Sequence, residues 1–171
     1  MKKYVTLVSL LILKGVSVFA QQSIDVKATV LPVGANITLN SYLWNIAFAN
    51  DGATPYQNDQ QGIMTVKSGS TWLFHVDFSS EHLGYVTSGS DQIPYYVKVT
   101  EIPSGYFGFI FPAPIMNDYV QLKNTQSIWF VGKTPKAGIR FYVGVKINAT
   151  PGEFYESGTY TDTLTINFVA F

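Results

Sequence analysis

Cysteine is absent from all 171 residues, which excludes disulfides, thiolate nucleophiles and any metal or cluster site held by sulfur. Charge is scarce at 13%, with eleven Lys and Arg against eleven Asp and Glu. Three of those cations, Lys2, Lys3 and Lys14, fall in the first twenty residues, leaving eight against eleven and a net of about −3 beyond them. No basic stripe remains to neutralise phosphates, so nucleic acid is excluded as a partner. Histidine occurs only at His75 and His82, which limits acid–base chemistry near neutral pH. Beyond residue 20 no apolar run approaches the roughly 20 residues of a membrane-spanning helix. No long helical period, internal repeat or low-complexity tract occurs. No phosphate-cradling loop occurs either, since Gly105-Tyr106-Phe107-Gly108 lacks the third glycine and the following helix.

Apolar and aromatic residues are what the chain has in plenty: 47% hydrophobic and 15% aromatic. Residues 1–20 read as a secretory signal peptide. Met1-Lys2-Lys3 supplies the positive start, Val5 to Val18 the apolar stretch, and Val18-Phe19-Ala20 a small-residue cleavage site before Gln21. The remaining length suits one domain. Export without cysteine means that the fold must stand on its core alone.

Short runs rich in Val, Ile, Thr and aromatics alternate in polarity and are punctuated by Gly, Pro, Asn, Asp and Ser. That is the pattern of an all-β sandwich or barrel, and about ten strands are expected. In Gln22 to Leu31, Ile24, Val26, Ala28 and Val30 face one way, and Pro32 ends the run. Tyr42, Trp44, Ile46 and Phe48 share a face, as do Trp72, Phe74, Val76 and Phe78. Asn50 to Gly62 and Glu81 to Gln92 read as loops. Strands are expected at Pro94–Glu101, Tyr106–Phe111, Tyr119–Leu122, Ser127–Val131 and Ile139–Asn148. The last fourteen residues form one more half-buried strand, with Tyr160, Leu164, Ile166 and Phe168 on one face and Thr161, Thr163, Thr165 and Asn167 on the other.

Catalytic signals are thin. His75 and Asp77, with Ser79 or Ser80, contain the residue types of nucleophilic catalysis. A zinc site from His75 and His82 would need Asp77 or Glu81 as a further ligand. Neither spacing matches a known ligand or triad pattern, and Asp59, Asp77, Asp91 and Asp118 form no calcium loop. The expectation is therefore a protein that is not an enzyme and has no catalytic, cofactor or metal site. Asn36-Ile37-Thr38 and Asn148-Ala149-Thr150 match the glycosylation pattern, as chance and a β-rich composition would produce. Tyr95, Tyr96, Tyr106, Phe107, Phe109 and Phe111 crowd one region, readable as a sugar-stacking platform or, on the alternation alone, as sandwich core beside a groove for a neighbouring strand.

The two ends form a pair. Ser23 to Leu31 carries modest apolar residues at every second place, as a strand that adds to another sheet does. With the signal peptide, the internal Ile93-Pro94-Tyr95-Tyr96-Val97 and the closing Gly158-Thr159-Tyr160-Thr161-Asp162, the chain resembles chaperone–usher fimbrial subunits. Its C-terminal part is similar to the spore-coat-U-like and disulfide-free pilin domains. Gly158 stands fourteenth from the end, where many such subunits have glycine, whereas Ala170 replaces their frequent penultimate tyrosine. The resemblance implies an immunoglobulin-like sandwich (residues 33–171) that lacks its last strand, preceded by a donor-strand extension (residues 21–32). Ile24, Val26, Ala28 and Val30 would be the donor residues. Gly158, Tyr160, Leu164, Ile166 and Phe168 would form the C-terminal strand that a periplasmic chaperone contacts.

It further implies delivery to an outer-membrane usher, polymerisation with neighbouring copies or other pilus subunits, a cell-surface location, and a host glycan or protein receptor. A monomeric, secreted or periplasmic carbohydrate-binding sandwich is the alternative.

Overall fold

The structure is a computed structural model, and it describes residues 21–31, 36–49, 54–148, 150, 153 and 155–171. The expected signal peptide lies outside the described residues. Among the described residues eleven strands occur in chain order: β1 (Gln21–Leu31), β2 (Ile37–Leu39), β3 (Leu43–Ala49), β4 (Tyr56–Val66), β5 (Leu73–Ser80), β6 (Tyr85–Ser88), β7 (Asp91–Ile102), β8 (Phe109–Phe111), β9 (Gln126–Val131), β10 (Ile139–Ile147) and β11 (Thr159–Ala170). One short helix, α1 (Pro114–Asn117), sits between β8 and β9, with Pro114 at its first turn where a missing N–H costs nothing. The protein is all-β, and its arrangement is consistent with a β-sandwich.

The strands run in the order β2-β4-β10-β7-β6-β11-β5-β9-β8, with β1 branching from β11 and pairing in turn with β3. Every ladder among them is antiparallel except that of β1 on β11. Strand β7 joins the two halves. Its first residues, Asp91–Pro94, pair with β6, and Tyr95–Ile102 pair with β10. Pro94 falls at the changeover, where a residue without an N–H leaves the ladder intact.

The inward rows of the two halves meet in one core. Phe130 of β9 packs edge-on against Phe141 of β10, with ring centroids 6.0 Å apart. Phe74 is sandwiched between Phe130 at 4.8 Å and Phe168 at 5.0 Å. Trp44 of β3 lies over Gly62 of β4 so closely that a Cβ there would come within 2.6 Å of the indole.

Several expectations are corrected. The polar stretch before Gly62 is strand rather than loop from Tyr56, because its backbone pairs with Val145 to Ile147 of β10 while most of its side chains are polar and only part-buried or exposed. Register slips between Val143 and Val145 where β4 carries extra residues, a bulge that blurs the alternation. Tyr85–Ser88 is also strand within the expected loop, folded onto β7 through a tight turn at Gly89 with φ of 58°. Conversely, Tyr119 to Leu122 makes one isolated bridge, Val97 to Val120. Tyr106 to Phe111 narrows to the three residues of β8. Trp72 precedes β5 and is 62% exposed, so it does not share the core with Phe74, Val76 and Phe78.

Candidate functional site

Strand β1 lies between β11 and β3. It runs parallel to β11, from Ser23 opposite Thr159 to Leu31 opposite Asn167. It runs antiparallel to β3, from Gln21 opposite Ala49 to Lys27 opposite Leu43. Among the described residues β3 pairs with no other strand. Without β1, the sheet would therefore hold an empty slot between β11 and β3.

The alternation read from the sequence decides what fills that slot. Ile24, Val26 and Ala28 are 0–1% exposed. Val30 is aligned with Ile166 in the backbone register. The walls are apolar too. Tyr160, Leu164, Ile166 and Phe168 of β11 and Trp44, Ile46 and Phe48 of β3 are all buried. The expected donor residues and the expected C-terminal strand are thus brought together, within one chain. Gly158 is exposed, its carbonyl accepts the Ser23 amide at 3.2 Å, and a Cβ there would meet only Ser88 Oγ at 3.4 Å. Its backbone is not one that demands glycine.

One residue of the slot escaped the pattern. Asp162 stands opposite Val26, faces inward and is 3% exposed. A buried carboxylate is tolerated only with partners, and this one has four hydrogen bonds. Oδ2 accepts from the Ser80 hydroxyl at 2.7 Å and the Tyr95 hydroxyl at 2.5 Å. Oδ1 accepts the His82 amide at 2.9 Å and lies 2.8 Å from His82 Nδ1. Ser80 Oγ in turn accepts the Gly84 amide at 2.7 Å. The carboxylate so ties β11 to the turn after β5 and to β7. The sequence signal for it was an acid at an inward position of an otherwise apolar period.

Burial, and after it the Asp162 charge, pushes the Tyr95 phenol well above its ordinary range. Tyr160, which donates to the Glu156 carbonyl at 2.9 Å, is pushed up to about 12, first by burial and then by Asp91. Both phenols therefore keep their protons in the fold to higher pH than in the unfolded chain. The stability this confers is complete below pH of about 10 and is lost as pH rises through the folded-state values. Urea unfolding is expected to show stability falling above pH of about 10, by up to roughly 1.4 kcal/mol per pH unit for each phenol. A stability that stays level from about pH 9 to about pH 11.5 would contradict this.

The sequence-based catalytic and zinc pairings are redistributed. His75 Nδ1 does meet Asp77 Oδ1, at 2.7 Å. The hydroxyl on that carboxylate belongs to Ser127, at 2.6 Å, a residue fifty positions away that no local spacing could indicate. Ser80 is instead engaged by Asp162 and Gly84. His82 is separated from His75 and converges with Glu81 and Asp162, whose ligand atoms lie within 4.8 Å of one another. Above them a recess of about 310 Å³ straddles the β1–β11 seam, lined by Asp25 and Lys27 on one side and Thr161 and Thr163 on the other.

The aromatic cluster divides. Tyr95 is core, and Tyr106 is half-buried with its hydroxyl donating to the Val131 carbonyl at 2.9 Å. Phe107, Phe109 and Phe111 face solvent. Neither a protein-family model nor a curated protein matches this chain.

Proposed function

We propose that the protein is a structural fimbrial subunit of the chaperone–usher kind, an immunoglobulin-like sandwich that polymerises by exchanging its first strand between copies. The observation that carries the reading is the slot between β11 and β3. It is filled by β1, which cleavage after Ala20 would leave at the start of the chain, and whose inward residues, Ile24, Val26 and Ala28, are 0–1% exposed. A segment at the chain's edge that supplies a central strand is the arrangement from which strand exchange proceeds at low cost, because the swapped contacts equal the ones given up. In the single chain β1 caps its own slot. Assembly on this reading requires β1 to leave and the corresponding strand of a neighbour to enter. A periplasmic chaperone would hold the slot open and an outer-membrane usher would be where exchange occurs. The assembled fibre would lie on the cell surface and serve adhesion.

A covalent lock tests this. Ala28 N–H bonds to the Tyr42 carbonyl at 2.9 Å. With Lys27 opposite Leu43, the alternation makes Asp25 and Asn45 a non-hydrogen-bonded antiparallel pair. Such pairs lie about 4.5 Å apart at Cα, within disulfide reach. Asp25→Cys with Asn45→Cys adds the only two cysteines of the chain. After mild opening in urea and return to buffer, the native and reduced proteins are expected to take up a labelled Gln22–Leu31 peptide and to form concentration-dependent oligomers. The oxidised protein is expected to do neither. Equal uptake by the oxidised form, or none by the native chain, would overturn the reading.

A further inference from the structure

A sheet face in contact with water usually alternates polar residues with the buried ones. The outer face at one end of β11-β5-β9-β8 breaks that rule. Phe111 stands opposite Trp129, Trp129 opposite His75, and His75 opposite Val169. One row further, Phe109 stands opposite Val131 and Val131 opposite Leu73. Phe171 closes the corner, its amide donating to the Leu73 carbonyl at 3.1 Å. Phe109 is 72% exposed, Phe171 68%, Phe111 57% and Trp129 38%. The Trp129 ring lies 5.4 Å from Phe171 and 4.4 Å from His75. The core does not call for these rings, since Ile128 and Phe130 on either side of Trp129 already fill it.

The adjoining row is polar. Asp77 stands opposite Ser127 on one side and Asn167 on the other. Ser127 Oγ and His75 Nδ1 both meet Asp77 Oδ1, and among the described residues no side chain bonds to Oδ2. Asp77 is the only carboxylate side chain in these rows, and neither Lys nor Arg is among them.

We propose that this face binds a neutral oligosaccharide. Aromatic rings take the C–H faces of pyranose rings, and a carboxylate with flanking hydroxyl and amide groups takes their hydroxyls. An anionic ligand would meet the Asp77 carboxylate and find no Lys or Arg in these rows. Adjacent strands lie about 4.8 Å apart, so rings spread over β8, β9 and the end of β11 form a platform that matches a few sugar rings; a second copy of the chain seated there is the competing outcome of the test. The site does not depend on strand exchange. Its rings lie on β9, β8 and just after β11, away from β1; only Asn167 of the polar row pairs with β1, at Leu31, a backbone pairing that a neighbour's β1 would equally supply.

The test uses residues 21–171 with cellohexaose, chitohexaose and mannohexaose as probes, read by calorimetry and tryptophan fluorescence. At least one probe is expected to bind with a dissociation constant of about 0.1–1 mM. Trp129→Ala and Phe111→Ala are each expected to weaken it at least about tenfold. Tyr42→Ala, at an equally exposed ring before β3, is expected to leave it unchanged. Thermal melts separate loss of the site from loss of the fold, and Phe111 on the edge strand guards against a misfolded Trp129 variant. Three results would overturn the proposal: no response to any probe up to about 10 mM, binding that survives both substitutions, or a dimer that Trp129→Ala abolishes.

Discussion

Removal of residues 21–31 is expected to leave a chain that no longer unfolds cooperatively and that exposes apolar surface to a hydrophobic dye. Ile24 and Val26 each lose burial worth roughly 1.5–3 kcal/mol, and Ala28 somewhat less. The loss does not stop at β1. Strand β3 gives up its ladder, and the inward faces of Trp44, Ile46, Phe48, Leu164 and Ile166 border open space. Net stabilities are about 5–15 kcal/mol, so a deficit on this scale removes most of the folded population. Added Gln22–Leu31 peptide is expected to restore a single sharp thermal transition, because the slot accepts a strand by main-chain pairing and alternate side chains. A peptide with Asp at the positions of Ile24 and Val26 is expected to fail, since it would bury unpaired charge. A truncated chain that melts normally and ignores the peptide would remove the basis of strand exchange.

The second large effect is expected at Asp162. Asp162→Ala takes the acceptor from the fully buried Tyr95 hydroxyl and from the Ser80 hydroxyl. A buried donor left without a partner costs about 1–3 kcal/mol. His82, whose side chain is 39% exposed, can turn to water and adds little. Destabilisation of about 2–5 kcal/mol is expected from urea titration at neutral pH. Asp162→Asn keeps one acceptor oxygen and is expected to cost less. The loss should also appear as faster amide exchange in the turn at His82 to Gly84, which the carboxylate fastens to β11. An Asp162→Ala protein within about 0.5 kcal/mol of the native one would show the four bonds to be dispensable.

Much of this was legible in the chain. Ile24, Val26 and Ala28 pointed inward as their spacing required, and so did Tyr160, Leu164, Ile166 and Phe168. Period-two alternation is a local property, and a strand half-buried in a sheet obeys it wherever its partner comes from. The misses share a different cause. Tyr56 to Asn58 and Tyr85 to Ser88 are held by backbone pairing to β10 and β7, and with one apolar side chain each turned inward, Tyr56 and Val86, they are too short to show an alternation. Phe109 and Phe111 alternate like core residues yet face solvent, because periodicity shows that two side chains share a face without showing which face is covered.

By itself, then, the sequence determined an all-β protein and the alternating apolar faces of Gln22 to Leu31 and Gly158 to Phe171. Only the tertiary structure decided that these two strands lie side by side and parallel, with β3 as the other wall of the slot. It alone joined Asp162 to Tyr95, and Asp77 to Ser127, across 67 and 50 residues. Alternation constrains the direction of each side chain, whereas the choice of neighbour is settled by long-range pairing that no local spacing encodes.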